Sequence, residues 1–393
     1  MTHEQLPEGW EWVRLGDVLQ PHPHTIDIED DQEYIQVTVK MHHKGVVVRE
    51  KQLGINIGTK RQNRLHANQF IISKIDARNG AIGIVPDSLE GAVATFDFPT
   101  FDVTNKIDVG FLDYYSSTKT FIEQCKNVSI GTTNRSRVRM ELFPEILIPL
   151  PPIDEQRRIA EVLRDADANI VDIEDAIAAA EQIRKGFLER FICELEQVPP
   201  TRLNKALIRI KREVEIDLKQ LYYQIGIRSH GKGIFHKEPF TGQELGNKRI
   251  YWVEPGDFVL NIVFAWEGAV ALVSENERGM CGSHRFPTFE FNTDICLPEF
   301  LLFYFKTPTG VRQLEDVSPG GAGRNKTLNQ GDFLKLKISL PDLEVQQEIV
   351  VSLQTHTDAI LTMQAEAASL REVKRGLMQG LLSGQVRTQT IRS

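Results

Sequence analysis

The sequence predicts an α+β chain in which two tandem mixed α/β domains are joined by two long antiparallel coiled-coil helices. Three observations predict it: the second half repeats the first, each repeat opens with short β-branched and aromatic runs, and each closes with a helical seam. Its 393 residues suit two or three domains, with 41% hydrophobic and 25% charged residues in an ordinary globular balance.

The repeat is read from a constant offset. Between residues 34 and 101 an ungapped shift of 188 pairs 20 identical residues in 68 positions, among them Tyr34 with Tyr222, Gly54 with Gly242, and FPTF at 98 with FPTF at 286. After a two-residue slip the offset is 190, and Phe143, Ile148, Gln156, Ile159 and Leu163 recur at 333, 338, 346, 349 and 353. The first part of each repeat carries strand-like runs such as EYIQVTVK, KGVVVRE and QFIISKI, or DFVLNIVF and AVALVS. A few helices are interspersed, such as FLDYYSSTKTFIEQCK and PEFLLFYFKTPTGVRQL. Each second part is helical. Ile159, Leu163, Ile170, Ile173 and Ile177 follow steps of four and three, as do Ile349, Leu353, Ile360, Met363 and Leu370, which is the spacing of a coiled-coil seam. Pro152 and Pro341 suit the helix starts. The expected segments are 1–147, a helix in 148–198, 199–337, and a helix with tail in 338–393.

The net charge of -8 hides its distribution. Residues 148–198 hold 6 Lys+Arg against 12 Asp+Glu, whereas 199–337 hold 19 against 16, so a polyanionic partner is not excluded. No apolar run approaches the roughly 20 residues of a bilayer span, and MTHEQLPEGWEW lacks the order of a signal peptide, so a cytoplasmic protein is expected. Cys125, Cys193, Cys281 and Cys296 fall in no metal-ligand spacing and are expected to be reduced and structural. His22, His24, His42 and His43 find no carboxylate or thiolate at useful spacing, so the expected metal content is none. A nucleotide-driven motor would need GxxxxGK[ST]; GGAGRNKT at 320 has Asn325 in place of its second Gly. An adenine methyltransferase would need a (D/N)PP(Y/F) turn, which does not occur.

LPEGWEWVRLGDVL, IPLPPIDEQRRIAEVL, and ISLPDLEVQQEIVVSL with KRGLMQGLLSGQVR resemble the specificity subunit of type I restriction-modification systems, over nearly the whole chain. The resemblance implies two target recognition domains, each reading one half of a split, asymmetric site in double-stranded DNA, and two antiparallel helices that set the spacing. It implies two methyltransferase subunits and two restriction/translocase subunits as partners, and no catalysis by this chain. It also implies no cofactor here, S-adenosylmethionine, ATP and Mg belonging to the partner subunits. A catalytic protein and a coiled-coil scaffold with two protein-binding modules are the readings of other classes, and a subunit of a methylation-only complex is the nearer alternative.

Positions kept cationic or polar in both copies suit phosphate contacts, which position a protein without reading sequence. They are Lys40 with Arg228, His42 with His230, Lys44 with Lys232, and Lys60-Arg61 with Lys248-Arg249, to which the acid-free window at 56–75 adds Arg64. The loops GTTNRSRVR and GGAGRNKTL add Arg135, Arg137, Arg139, Arg324 and Lys326. Positions that change chemistry within the shared frame are candidates for base reading. Lys74, Asp76, Arg78 and Asn79 become Ile262, Phe264, Trp266 and Glu267, while Phe96 and Asp97 become His284 and Arg285.

Overall fold

The computed structural model describes residues 6–131, 136–246, 248–320 and 326–388. The chain forms two compact units, Met1–Glu174 with Ala365–Ser393, and Asp175–Gln364. Both therefore draw on both long helices, and the expected segments 148–198 and 338–393 are each divided between them.

In the first unit, an antiparallel four-stranded sheet runs in the order Leu19–Pro21, Thr100–Val103, Phe70–Ile72, Ile82–Ile84. Its Phe70–Ile72 strand is buried on both faces, which is why it reads as a continuous apolar run. A five-stranded sheet follows in the order Thr25–Asp27, Arg61–Arg64, Val93–Ala94, Glu33–Val39, Val46–Leu53. The chain crosses from one sheet to the other through His22-Pro23-His24. A β-bulge between Gln36 and Val37 interrupts the pairing of Glu33–Val39 with Val46–Leu53.

The second unit repeats this plan at the same offset. Its four-stranded sheet runs Leu207–Ile210, Thr288–Phe291, Phe258–Leu260, Val270–Leu272, and Phe258 faces Leu272 as Phe70 faces Ile84. The counterpart of the five-stranded sheet is reduced to two-stranded pieces, among them Ile225–Ile227 with Ile234–His236 and Ile250–Trp252 with Cys281–Ser283. Residues kept in both copies hold this frame. The hydroxyls of Tyr34 and Tyr222 accept from the Glu29 and Asp217 amides at 3.1 and 2.8 Å, and a Cβ on Gly54 or Gly242 would lie 1.9 or 2.1 Å from the Glu29 or Asp217 carbonyl oxygen.

Each of the two expected short helical stretches is broken into two helices. Val109–Ser116 gives way to Lys119–Asn127, and Pro298–Lys306 to Pro308–Asp316. Thr118 and Thr307 cause the breaks by capping the second helix, their hydroxyls accepting from Phe121 N at 3.2 Å and Gly310 N at 3.1 Å.

The long helices are Ile153–Leu195 and Leu343–Ser383. Within the first unit they run antiparallel: Arg387 bonds Glu155 at 2.7 Å, Lys374 bonds Asp167 at 2.5 Å, and Arg371 bonds Glu174. Within the second, the rings of Phe187 and His356 meet at 5.9 Å. The seam residues are all buried or half-buried, while Val171, Ile183 and Leu361 are exposed. The helix ends also enter the domain cores. Ile159, Leu163, Leu381 and Leu382 share one core with Phe70 and Phe111, and Phe191, Leu195, Ile349 and Leu353 share another with Phe258 and Phe300. Each fully buried Leu or Phe there contributes about 1.5–3 kcal/mol.

The Gln of each LPPIDEQ-like segment explains the motif. Gln156 accepts from the Asp108 amide at 2.7 Å and donates to the Lys106 and Pro151 carbonyls; Gln346 accepts from Leu297 at 2.8 Å and donates to Ile295 and Pro341. Both side chains are buried, so each amide fastens a helix start to its domain. Cys125, Cys281 and Cys296 are buried, which pushes their thiols up to about 12, 11 and 12; Cys193 is exposed and fills no core. Among the described residues no helix is long and apolar enough to cross a membrane.

Candidate nucleic-acid interface

A cleft of about 1010 Å³ opens in the second unit. Gly226, Ile227 and Phe235 of the hairpin Ile225–Ile227 with Ile234–His236 line it, as do Phe264, His284 and Arg285 together with Arg228, His230, Lys232 and Lys248. The structure thus brings together three base-reading candidates and four phosphate candidates. The lining holds five Lys or Arg side chains against one carboxylate, Glu244, which is occupied in capping Thr241. Arg228 stacks over Phe235 and Lys237 over Phe286. Burial, and then the positive field of Arg285, hold the Lys237 ammonium below the usual lysine value. Like charges held together in a desolvated cleft favour an anionic ligand.

A smaller cleft of about 340 Å³ occupies the equivalent place in the first unit. Gln36, Arg49, Gln52, Ile57 and Thr95 line it where Gln224, Lys237, Phe240, Leu245 and Ser283 line the larger one. Arg49 lies at the β-bulge, one residue beyond the Val48 that pairs with Val37, and Lys237 lies one residue beyond the His236 that pairs with Ile225. A bulge re-aims the side chain it carries. Arg49 and Lys237 are the site residues that the reading of the sequence missed, although the offset of 188 already paired them as cations.

Other candidates lie outside the clefts or are engaged locally. Asp76 accepts from Asn79 Nδ2 at 3.1 Å, and Asp97 pairs with Arg137 at 3.0 Å. Glu267 accepts from the Ser229 hydroxyl at 2.6 Å, and Trp266 donates to the Val263 carbonyl at 3.0 Å beneath the Lys326 ammonium. Lys326 also pairs with Glu315 at 2.5 Å, Lys60 with Asp30 at 2.6 Å, and Arg249 with Glu213 at 3.6 Å. Lys74 and Arg78 are half-buried in the turn that carries Asp76. Lys40, Lys44, Arg61, Arg64 and Arg139 are exposed. Arg135 and Arg324 lie outside the described residues.

His42 and His230 have a backbone reason to recur. Both sit at φ 60°, where His is enriched among the residues other than Gly, and their amides donate to the carbonyls of Asn79 at 2.9 Å and Glu267 at 2.7 Å. His22 and His24, for which the sequence offers no carboxylate or thiolate at useful spacing, meet His66 in space: the three ligand nitrogens lie within 4.8 Å of one another. The third histidine comes from 42 residues away, beyond any local spacing pattern.

The chain thus combines two copies of one domain, each with a cleft at an equivalent place, and two long helices that both domains share. Residues 7–181 and 244–372 match the family described as type I restriction modification DNA specificity domain, and the chain belongs to that family. It is a type I restriction-modification specificity subunit, a non-catalytic component. The chain is 20% identical to the type I restriction enzyme MjaVIII specificity subunit of Methanocaldococcus jannaschii, covering 98% of this chain and 95% of that one. It is 24% identical over 285 residues to the putative MjaX specificity subunit of the same organism, covering 67% of this chain and 65% of that relative's length. The fold is similar to that of the crystallised HsdS subunit from Thermoanaerobacter tengcongensis, with a TM-score of 0.57 and 18% identity over 98% of this chain and 99% of that one.

Proposed function

We propose that the two clefts each address one half of a split, asymmetric site in double-stranded DNA, and that the long helices set the spacing between the halves. The observation that carries this reading is the pair of clefts at equivalent positions, alike in frame and different in lining. A duplicated frame with a cationic element kept in both copies suits phosphate contact, and linings that differ suit two different half-sites. In the second cleft Arg285 is suited to a guanine edge and Phe264 to a thymine methyl or a stacked base. The exposed faces of the helices would dock two methyltransferase subunits and, in a restricting complex, two translocase-nuclease subunits. S-adenosylmethionine, ATP and Mg would be bound by those partners.

The test is a single-molecule methylome of host DNA with and without the gene, scoring adenine exocyclic-amine methylation by motif. The expected result is loss of one split motif on deletion. Persistence of every motif would contradict the proposal.

A further inference from the structure

The histidine trio lies in the first unit, apart from its cleft, at the crossing between its two sheets. The His22 amide donates to the Thr100 carbonyl at 3.3 Å and the His24 carbonyl accepts from Arg64 N at 2.7 Å, so backbone bonds to both sheets hold the two side chains. Pro23 between them fixes its own φ. His22 Nδ1 lies 2.5 Å from Asp102 Oδ2 and His66 Nδ1 lies 2.8 Å from Glu90 Oε1. A carboxylate on Nδ1 orients an imidazole and leaves Nε2 as its ligating nitrogen, the outer-shell arrangement of histidine metal sites. His66 Nε2 faces His24 Nδ1 at 3.0 Å. Without an ion one of the two nitrogens donates its proton to the other; a shared ion with bonds of about 2.0–2.1 Å would instead set tetrahedral ligand nitrogens roughly 3.3 Å apart.

The second unit shows what this place holds when it has no histidines. At the 188 offset, Arg212 stands for His24, Asp257 for Gln69, Glu290 for Asp102, Glu254 for His66 and Arg278 for Glu90. Arg212 bridges Asp257 at 2.6 Å and Glu290 at 2.7 Å, and Arg278 pairs with Glu254 at 3.7 Å. The Trp252 amide donates to the Arg212 carbonyl as the Arg64 amide donates to that of His24, so the two places are equivalent in backbone as well. A cation therefore sits between carboxylates at this crossing in the second unit. Of the three carboxylates there the first unit keeps one, as Asp102; it has Glu90 where Arg278 stands, and three imidazoles but no Lys or Arg at these positions.

We propose that His22, His24 and His66 hold one divalent transition-metal ion, zinc by the nitrogen chemistry of its ligands, which clasps the sheet crossing of the first unit. Asp102 and Glu90 orient two of the ligands, and the fourth coordination position is left to water, since His22 and His24 are exposed.

The test uses the full chain without an affinity tag, stripped with a chelator and titrated with Co²⁺, read by visible absorption, with Zn²⁺ as competitor. One equivalent of Co²⁺ per chain is expected, displaced by Zn²⁺, with a raised thermal midpoint for the Zn²⁺ form. His24→Gln and His66→Gln should abolish both effects. Asp102→Asn, which keeps all three ligands, should weaken binding by about 10–100-fold. Circular dichroism at low temperature confirms that each variant is folded. Absence of a saturable equivalent in the wild type would overturn the proposal, as would folded His24→Gln and His66→Gln variants that bind as tightly as the wild type.

Discussion

The two globular parts share a backbone and differ in what they present. Gly54 and Gly242, Tyr34 and Tyr222, and Gln156 and Gln346 do the same work in each copy, and all of it concerns backbone amides and carbonyls. The clefts diverge: Gln52 bonds Gln36 at 2.8 Å in the first, where Phe240 stands beside Gln224 in the second. The sheet crossings diverge too, a histidine trio in one and an arginine ion-pair network in the other. The difference teaches that identity between the copies marks the frame, while substitution within the frame falls in the clefts and at the sheet crossings. His42 and His230 belong to the frame by this criterion, because their shared φ and amide bonds account for their recurrence.

The largest expected effect tests the frame. Gly54→Ala and Gly242→Ala each drive a Cβ into a backbone carbonyl that cannot swing aside, at an expected cost of about 3 kcal/mol. Hydrogen exchange should localise the loss to the unit that carries the substitution. Equal loosening of both units, or of neither, would break the comparison.

A smaller effect concerns the paired cations Arg49, at the β-bulge of the first unit, and Lys237, its counterpart in the second. Arg49→Ala and Lys237→Ala should each reduce the slope of log affinity against log salt by about 0.9, the share of one phosphate, and weaken binding to all DNA sequences alike. Unchanged slopes would remove these two cations from the interface and leave the other cleft residues to carry it.

Much of this architecture was legible in the sequence because it is periodic. A constant offset exposed the duplication, and steps of four and three exposed the seam from Ile159 to Ile177 and from Ile349 to Leu370. The breaks at Thr118 and Thr307 were hidden because each hydroxyl caps only after the chain has turned, and the apolar pattern continues through both. The division of the last helix between the units was hidden because it depends on which core Leu381 and Leu382 enter. Of the candidate site, Phe264, His284 and Arg285 meet in one cleft, whereas Asn79, Asp97 and Glu267 are engaged by neighbours that no spacing rule reveals. The histidine trio depends on a sheet crossing that brings residues 22, 24 and 66 together, so a search for ligands along the chain passes it by.

The central claim is that each cleft reads its own half-site, and Arg285→Ala tests it most directly. The variant should be expressed with its methyltransferase partner and its methylated motif read by single-molecule sequencing. The account predicts a relaxed base preference in one half of the split motif, worth about 1–3 kcal/mol of discrimination, with the other half and the spacer unchanged. Relaxation of both halves, or an equal loss of methylation at every sequence, would contradict it.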